Sequence, residues 1–322
     1  MPTVVVTHRI PQAGLRELLE RYEVKMPADA AFDRKTLQKL LPGADAVLAG
    51  GALDGELIRS APHLKIISNY GAGYDRVDVA AATACGIPVT NIPDATAEAT
   101  AELTMALLLS VMRRVGEMNL RLRQEPPESL FGMGQYMGHT LRGKRLGILG
   151  LGHIGKAVAR MAQAFGMTVC YYSRHAVPDA EAACYAPTLE ALMRQSDVLT
   201  LHCPLTEETR GLLNGARLRL LPHGAVVINT ARGGVLDYDA LTELLEEGYL
   251  AGAGLDVFPD EPHIPAWLLA LPQVVVTPHI GTNTVETRDD MARAASLRIL
   301  QALEGLPLTQ VVNPDYCKHR KC

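Results

Sequence analysis

Three side chains of complementary chemistry lie in short motifs along the second half of this 322-residue sequence. They are Arg232 in 229–234, Glu261 in 256–262 and His279 in 277–281. An arginine can grip a carboxylate through a bidentate fork and polarise a neighbouring carbonyl. An imidazole can give that carbonyl a proton as hydride reaches its carbon, and a nearby carboxylate orients the imidazole and favours its protonated form. The set predicts reduction of a 2-oxo acid, with Arg232, Glu261 and His279 as catalytic residues.

Each of the three residues follows an apolar segment that is typical of a β-strand. The predicted strands are 226–229, 255–257 and 274–277. Ligands of open α/β sheets collect beyond the carboxyl ends of the strands, so the three side chains are expected at one edge. Taken singly, such an arginine is usually a surface charge, a glutamate before proline a loop residue, and a histidine after proline a helix cap. Their combination favours an active site.

A glycine-rich motif precedes these residues and predicts a dinucleotide site. Gly150-Leu151-Gly152-His153-Ile154-Gly155 follows a strand at 145–149 and precedes a helix predicted at 156–165, with Val158, Met161, Ala162 and Phe165 on one face. In this pattern the first glycine permits a tight turn, the second lets a pyrophosphate approach the backbone, and the third allows close helix–strand packing. The helix N-terminus offers N–H groups to the phosphates. Cofactor contacts are therefore assigned to Gly150, Gly152, His153, Ile154 and Gly155.

The next predicted strand, Thr168–Tyr172, bears on the choice of cofactor. It ends at Ser173 and Arg174, where an acidic residue would accept hydrogen bonds from the ribose hydroxyls of NAD. A hydroxyl and a cation suit a 2′-phosphate instead, with His175 adding to the contact, so NADP(H) is favoured. The alternative is that Arg174 stacks on the adenine and both cofactors are accepted.

Strands and helices alternate along the chain, which predicts an α/β fold with parallel sheets. The first series starts with a strand at Thr3–Val6 and the second starts at Lys144. Between them lie a long amphipathic helix, about 96–114, and an irregular segment at 123–139. After the second series, 284–304 has helical spacing again, with Val285, Met291, Ala295, Ile299 and Leu303 on one face. We predict two Rossmann-like or flavodoxin-like domains with a cleft between them. The nucleotide-binding domain, 98–283, is inserted into a substrate domain formed by 1–97 and 284–322.

Composition argues against several classes of partner. The formal net charge is −4 and Lys and Arg form no long basic stripe, so no nucleic acid is expected. The N-terminal apolar run is typical of a strand rather than a signal peptide, and the stretch 103–112 is too short to span a membrane. Six scattered cysteines favour a reduced cytoplasm and no metal. For the tail 317–322, a metal site is the alternative to a frayed polar end.

From about 41 to 313 the chain resembles the D-isomer-specific 2-hydroxyacid dehydrogenases, particularly the glyoxylate/hydroxypyruvate reductase-like branch. The resemblance rests on the glycine motif, the three motifs above, Tyr70-Gly71-Ala72-Gly73-Tyr74-Asp75 and Cys203-Pro204-Leu205-Thr206. Together with Arg174, it predicts an NADP-preferring reductase that converts small 2-oxo acids to D-2-hydroxy acids and can also use NAD(H). Glyoxylate, hydroxypyruvate and short branched or aromatic 2-oxo acids are all compatible substrates.

The resemblance also implies roles for residues outside the glycine motif. The backbone amides of Ala72 and Gly73 would hold the substrate carboxylate, while Arg232 would bind and polarise the substrate. Asp256 would contact the carboxamide region of the nicotinamide. The remaining cofactor contacts fall on Pro204, Thr209, Thr230, Ala231 and Gly281. Members of the family are typically homodimers, and 123–139 resembles the arm that crosses to the partner subunit.

Two departures from the family pattern affect the prediction. The arm lacks the tryptophan of many relatives and has Phe131, Met133, Tyr136 and Met137 instead. Elsewhere in the chain, Ala97 replaces a polar residue that is frequent in the family. The methionines favour a substrate larger than glyoxylate. A formate dehydrogenase would have glutamine in place of Glu261, and a phosphite dehydrogenase lysine in place of Ala72.

Two other functions are compatible with a glycine-rich turn. The first is a nucleotide-sensing, corepressor-like binding protein of the same fold, in which the catalytic set decays. The intact Arg232, Glu261 and His279 argue against it. The second, a methyltransferase, leaves the three later motifs unexplained.

Overall fold

The computed structural model describes residues 1–180 and 182–319, which form two compact units. Unit 1 consists of Met1–Thr96 and Thr282–Cys322, and unit 2 of Ala97–Gly281. Arg320, Lys321 and Cys322 lie outside the described residues, so the alternatives for the tail stay open. Each unit contains one parallel β-sheet with an apolar core on each of its faces. The predicted α/β class with two parallel-sheet domains is confirmed.

Unit 1 begins with five parallel strands and the helices that join them. In chain order these are β1 (Thr3–Val6), α1 (Arg16–Arg21), β2 (Glu23–Lys25), α2 (Arg34–Leu40), β3 (Ala46–Ala49), α3 (Gly55–Arg59), β4 (Ile66–Asn69), α4 (Val79–Ala84) and β5 (Val89–Thr90). The order of the strands in the sheet is β2-β1-β3-β4-β5. All residues of β1, β3 and β4 are buried, because helices cover both faces of a parallel sheet.

Unit 2 has a sheet of seven parallel strands. Its elements are α5 (Ala97–Met112), α6 (Val115–Gln124), β6 (Arg145–Leu149), α7 (His153–Ala164), β7 (Thr168–Tyr172), β8 (Cys184–Tyr185), α8 (Leu189–Arg194), β9 (Val198–Leu201), α9 (Gly215–Leu218), β10 (Ala225–Asn229), α10 (Tyr238–Glu246), β11 (Leu250–Leu255), α11 (Ala266–Leu269) and β12 (Val274–Val276). The strand order is β12-β11-β10-β9-β6-β7-β8. The order reverses beside β6, where a doubly wound sheet places its ligand.

Alternation along the strands divides the core of unit 2 between the two faces of the sheet. Val227 packs on one face with side chains of α8, α9, α10 and α11. Val226 and Ile228 pack on the other face with side chains of α5 and α7. Successive residues of a strand point to opposite faces, so both faces of β10 are apolar and buried. This burial holds the carboxyl end of β10, and hence Arg232, in a fixed position.

The chain returns to unit 1 with α12 (Val285–Leu303). The helix begins at Thr284, whose hydroxyl accepts a hydrogen bond from the Thr287 N–H at 3.1 Å, as an N-cap does. Ala295 and Ile299 are buried against β1, β3 and β4. The helix predicted at 284–304 is confirmed. Val285, which the helical spacing placed on the inner face, is instead exposed, because it lies in the first turn, before the buried face begins.

The helix α5 is longer than the apolar run 103–112 on which the sequence prediction rested. With the preceding turn, Asp94–Met112 has the length and apolar composition of a membrane span, and it is the single such segment in the described part of the chain. More than half of it is buried, and α5 contacts α7, β10, β11 and β12 within unit 2. Core helices of this kind are apolar because they are packed, so the packing explains the composition.

Three predicted details in unit 2 are wrong. The helix after the glycine motif begins at His153 rather than Lys156, because Gly152 is its N-cap. Phe165 lies on the C-cap of α7 and is 45% exposed, so it does not belong to the buried face. The strand β11 ends at Leu255, so Asp256 and Val257 lie in the loop beyond it.

The segment predicted as an arm or long loop begins as a helix. Arg123 and Gln124 belong to the last turn of α6, and a single 3-10 turn follows at Pro127–Ser129. The rest of the segment up to His139 has no helix or strand. Phe131, Met133 and Met137 are exposed, so the part beyond Gln124 is an irregular segment with exposed apolar side chains.

Candidate active site

The predicted imidazole and carboxylate form a hydrogen-bonded pair in unit 2. Nδ1 of His279 lies 2.9 Å from Oε2 of Glu261, and the second oxygen of Glu261, Oε1, accepts from the Phe258 N–H at 3.1 Å. The Glu261 side chain is 17% exposed and that of His279 is 44% exposed. Glu261 is therefore fixed by the protein, and it leaves Nε2 of His279 as the nitrogen that can exchange a proton with a ligand.

The turn that carries His279 is organised by a buried carboxylate. Oδ1 of Asp256 accepts from the Thr277 hydroxyl at 2.6 Å and the Ile280 N–H at 2.8 Å, and Oδ2 accepts from the Gly281 N–H at 2.9 Å. Burial raises the pKa of Asp256, although these donors act in the opposite direction. His279 lies in the left-handed region with φ of 54°, which few residues other than glycine adopt. The Asp256 bonds thus hold a strained residue in one orientation.

Arg232 follows β10 and lies on a loop that packs against the loop of Glu261. A Cβ at Gly233 would be 2.0 Å from the Phe258 carbonyl carbon and 2.4 Å from the Pro259 nitrogen, so only glycine fits. Nη1 of Arg232 donates to the Ala231 carbonyl at 2.7 Å, and the Arg232 carbonyl accepts from Asn229 Nδ2 at 3.1 Å. The close approach at Gly233 fixes the Arg232 loop against the segment that leads to Glu261.

Three further residues, which the sequence did not single out, hold the loops of Arg232, Glu261 and His279 in place. The Asn229 side chain also accepts from the Ala231 N–H at 3.0 Å, and Thr277 bonds to Asp256 as described above. The Tyr238 hydroxyl donates to the Val257 carbonyl, and burial raises its pKa. Asn229 and Thr277 could have been found from the sequence, because they lie in the motifs of Arg232 and His279. No sequence pattern marks Tyr238, since it lies on an amphipathic helix where an aromatic residue is ordinarily part of the core.

The glycine motif forms a tight turn between β6 and α7. Gly150 has φ of 97°, and a Cβ on it would be 2.9 Å from the Cys203 nitrogen. A Cβ on Gly155 would be 2.3 Å from the Gly150 carbonyl oxygen, whereas one on Gly152 would meet none of the described chain within 4 Å beyond its immediate neighbours. His153 and Ile154 form the first turn of α7. The turn has the backbone conformation and the open space that a pyrophosphate requires.

Ser173 and Arg174, which follow β7, each contact another part of unit 2. The Ser173 hydroxyl accepts from the Leu151 N–H at 3.0 Å, so it holds the glycine turn. Arg174 is exposed, and its Nη1 lies 3.8 Å from Oε2 of Glu208, which is also exposed. A 2′-phosphate on Arg174 would therefore compete with a carboxylate from the protein itself.

Several residues assigned to cofactor binding use their polar groups within unit 2. The Thr230 hydroxyl is buried and lies 2.8 Å from the Thr104 hydroxyl. The Thr209 hydroxyl donates to the Pro204 carbonyl at 2.6 Å. Ala231 is buried, and the Gly281 amide donates to Asp256. These bonds fix the loops at the carboxyl edge of the sheet in place.

The substrate loop assigned by resemblance lies in unit 1, after β4. Asn69 Nδ2 donates to the carbonyls of Gly71 at 2.9 Å and Gly73 at 3.0 Å, and Asn91 Nδ2 donates to the Ala72 carbonyl at 2.8 Å. Three successive carbonyls are thus held by amide side chains. This arrangement fixes the peptide planes of Ala72 and Gly73.

No group of three or more His, Cys, Asp or Glu side chains that could hold a metal ion occurs in the part of the chain the structure describes. The pair formed by His279 and Glu261 has only two such groups, and Asp256 is saturated by donors from its own turn.

Comparison with known proteins identifies the family. Residues 105–281 match the family model of the D-isomer specific 2-hydroxyacid dehydrogenase NAD binding domain. The chain is 41% identical over 322 residues to the glyoxylate reductase of Thermococcus litoralis. The alignment covers 98% of this chain and 97% of the relative.

Solved structures agree with this match. A Thermus thermophilus protein superposes with a TM-score of 0.88 at 41% identity, over 96% of this chain and 99% of that one. The NADPH-dependent glyoxylate/hydroxypyruvate reductase of Sinorhizobium meliloti, in complex with NADP and malonate, superposes with a TM-score of 0.87 at 32% identity, over 100% of this chain and 99% of that one.

The fold and these matches define an α/β oxidoreductase that acts on CH–OH groups with a nicotinamide cofactor. The chain belongs to the D-isomer-specific 2-hydroxyacid dehydrogenase family, within its glyoxylate reductase branch. The resemblance predicted from the sequence is thereby confirmed.

Proposed function

We propose that this protein reduces a small 2-oxo acid, such as glyoxylate or hydroxypyruvate, to the D-2-hydroxy acid with NADPH. The observation that carries the proposal is the hydrogen bond of 2.9 Å between His279 and Glu261, beyond the carboxyl edge of a nucleotide-binding sheet. An imidazole fixed by a carboxylate is the acid/base group that carbonyl reduction requires. The names of the relatives from Thermococcus litoralis and Sinorhizobium meliloti support the choice of substrates.

In this proposal each residue of the catalytic set has one task. Arg232 binds the substrate carboxylate and polarises the carbonyl, since a guanidinium offers a planar fork of donors. His279 gives a proton from Nε2 to the developing alkoxide, while Glu261 accepts from Nδ1 and stabilises the imidazolium. A bound nicotinamide cofactor supplies the hydride, and the turn at Gly150, Gly152 and Gly155 would hold its pyrophosphate.

The proposed preference for NADPH over NADH rests on Arg174. It is exposed beyond β7, where the ribose of a dinucleotide lies in this fold, and a guanidinium pairs well with a phosphate. Glu208 opposes the preference, because its carboxylate lies 3.8 Å from the same guanidinium. NADPH is therefore favoured over NADH, and NADH serves as the weaker cofactor.

We also propose a homodimer in the cytoplasm. Phe131, Met133 and Met137 are exposed on the segment beyond α6, and exposed apolar side chains concentrated on one segment favour an interaction surface there. Sedimentation of the purified chain tests the dimer. Replacing Phe131 and Met133 by serine should yield monomers, whereas a monomeric parent protein would contradict the proposal.

The first experiment measures initial rates with NADPH and NADH. The panel of acids is glyoxylate, hydroxypyruvate, pyruvate, 2-oxoisocaproate, phenylpyruvate and 2-ketogluconate. Turnover of one or more of these acids, faster with NADPH than with NADH, is expected. Tight NADPH binding without turnover of any acid would instead favour the corepressor-like sensor.

A further inference from the structure

Two cysteines lie side by side at the edge of the sheet in unit 2. Cys170 of β7 and Cys184 of β8 are register partners in a parallel strand pair, and their sulfur atoms are 2.6 Å apart. Neighbouring strands are about 4.8 Å apart, and register partners present their side chains on the same face. That separation lies within the range of Cα distances that a disulfide spans. The backbone is therefore already placed for a bond between them.

The two thiols differ in their surroundings. Cys184 is exposed, so it is the thiol that an oxidant in solution reaches first. Cys170 is partly buried, and burial together with the neighbouring thiol raises its pKa to about 12. Cys170 is thus a poor thiolate on its own and depends on proximity to react, which suits the second step of disulfide formation.

The segment between the cysteines, 171–183, includes Ser173 and Arg174. Within this segment the Tyr171 hydroxyl accepts a hydrogen bond from the Val177 N–H at 2.9 Å. The Ser173 hydroxyl accepts one from the Leu151 N–H, which ties the segment to the glycine turn. Closing this segment with a covalent bond restricts the movements by which Arg174 leaves Glu208 for another anion.

We propose that Cys170 and Cys184 are a redox modification site. Peroxides oxidise the two thiols to a reversible disulfide that joins Cys170 to Cys184. The Cys184 thiolate attacks one peroxide oxygen and becomes a sulfenic acid, and the other oxygen leaves as hydroxide and is protonated to water. The Cys170 thiol loses its proton and attacks the sulfenic sulfur, which expels the second water. Two thiols are oxidised and one peroxide is reduced to two waters, and a dithiol reductant reverses the change.

The experiment treats the full chain with hydrogen peroxide, blocks the remaining free thiols by alkylation and digests the chain with trypsin under non-reducing conditions near neutral pH. Cleavage after Arg174 places the cysteines in separate peptides, 161–174 and 175–194, so a disulfide joins the two. We expect this joined peptide, lighter by two hydrogen atoms than the sum, and its loss after dithiothreitol treatment. Cys184→Ser and Cys170→Ser should both abolish it, while Cys85→Ser, which changes another exposed cysteine, should not. Oxidation of Cys85 with 170 and 184 still reduced would overturn the proposal.

A second readout rests on the proposed function. The oxidised protein should bind NADPH about threefold more weakly than the reduced protein, because the closed segment resists rearrangement. Cys184→Ser should show no such change. A joined peptide without any change in NADPH affinity would overturn the coupling to the cofactor. The mass measurement needs no activity, so it stands even if the protein reduces none of the acids.

Discussion

Nδ1 of His279 lies 2.9 Å from Oε2 of Glu261, and the other oxygen of Glu261 is fixed by the Phe258 N–H. Both residues follow strands of one parallel sheet, and the left-handed backbone of His279 turns its imidazole toward the carboxylate. The loops that hold the pair are tied together by Asp256 and by the close packing at Gly233. The pair is therefore preorganised before any ligand binds.

Replacing Glu261 by glutamine should lower kcat while leaving NADPH binding nearly unchanged. The amide can still bond to Nδ1, but it no longer stabilises a positive charge on the imidazole. A loss of about tenfold to a hundredfold is expected, smaller than that for loss of the acid/base itself. Steady-state rates and NADPH titration measure the two quantities. A kcat of Glu261→Gln equal to that of the wild type would show that the Glu261 carboxylate does not assist His279.

Replacing Asp256 by asparagine should destabilise the protein by about 1–3 kcal/mol, since one donor of its turn then faces an amide N–H. The pKa of Asp256 is raised in the folded state by burial. Because the folded state favours the protonated carboxyl, Asp256 contributes stability that is fully present below its unfolded pKa and is lost as the pH rises through its folded pKa. Consequently, the destabilisation by Asp256→Asn should be larger in acid than at neutral pH. Denaturant unfolding at the two pH values measures it, and the opposite trend would contradict the assigned shift.

Gly233→Ala should destabilise the protein and lower activity together. The new Cβ would meet backbone atoms of Phe258 and Pro259, which cannot move without displacing the Glu261 segment. Overpacking of this kind costs about 1–3 kcal/mol or more. Gly43→Ala is the matched control, because a Cβ there meets no described atom within 4 Å. Equal denaturation midpoints for the two variants would show that the close approach does not hold the loop.

Arg174→Ala should raise the KM for NADPH about tenfold or more and leave the KM for NADH nearly constant, since a hydrogen bond between charged groups is lost only with NADPH. Arg174→Asp should move the preference further toward NADH by repelling a 2′-phosphate. Arg219→Ala removes an exposed arginine that pairs with Glu247 on a different element and serves as the control. An unchanged ratio of the two KM values would place the 2′-phosphate elsewhere.

The strands of both sheets could be predicted where they carry a strong apolar pattern. The predicted strands at Thr3–Val6, Arg145–Leu149 and Thr168–Tyr172 are confirmed to the residue as β1, β6 and β7. The edge strands β2 and β8 were missed. β2 has only three residues, two of them charged, and β8 has two exposed residues, so neither shows periodicity. Such strands form because a neighbour in the sheet pairs with them, which a local pattern does not record.

The candidate site divides in the same way. The residue types and their positions after strands select Arg232, Glu261 and His279 as candidates, and the bond between His279 and Glu261 is consistent with that selection. The contact between Arg174 and Glu208, the bond from Ser173 to Leu151 and the role of Tyr238 all join residues far apart in the sequence. They depend on tertiary packing, so a single sequence offers no local signal for them.

The most direct test of the proposed reduction is the turnover of His279→Ala with NADPH and the acid of the panel that the wild-type protein reduces fastest. Turnover should fall by about a hundredfold to ten-thousandfold, with NADPH affinity nearly intact, because the proton donor is lost and the nucleotide turn is not touched. His263→Ala, which changes an exposed histidine close to Glu261 in sequence, should keep full activity. Turnover of His279→Ala at the wild-type rate would contradict the acid/base role of His279 and the proposed reduction that depends on it.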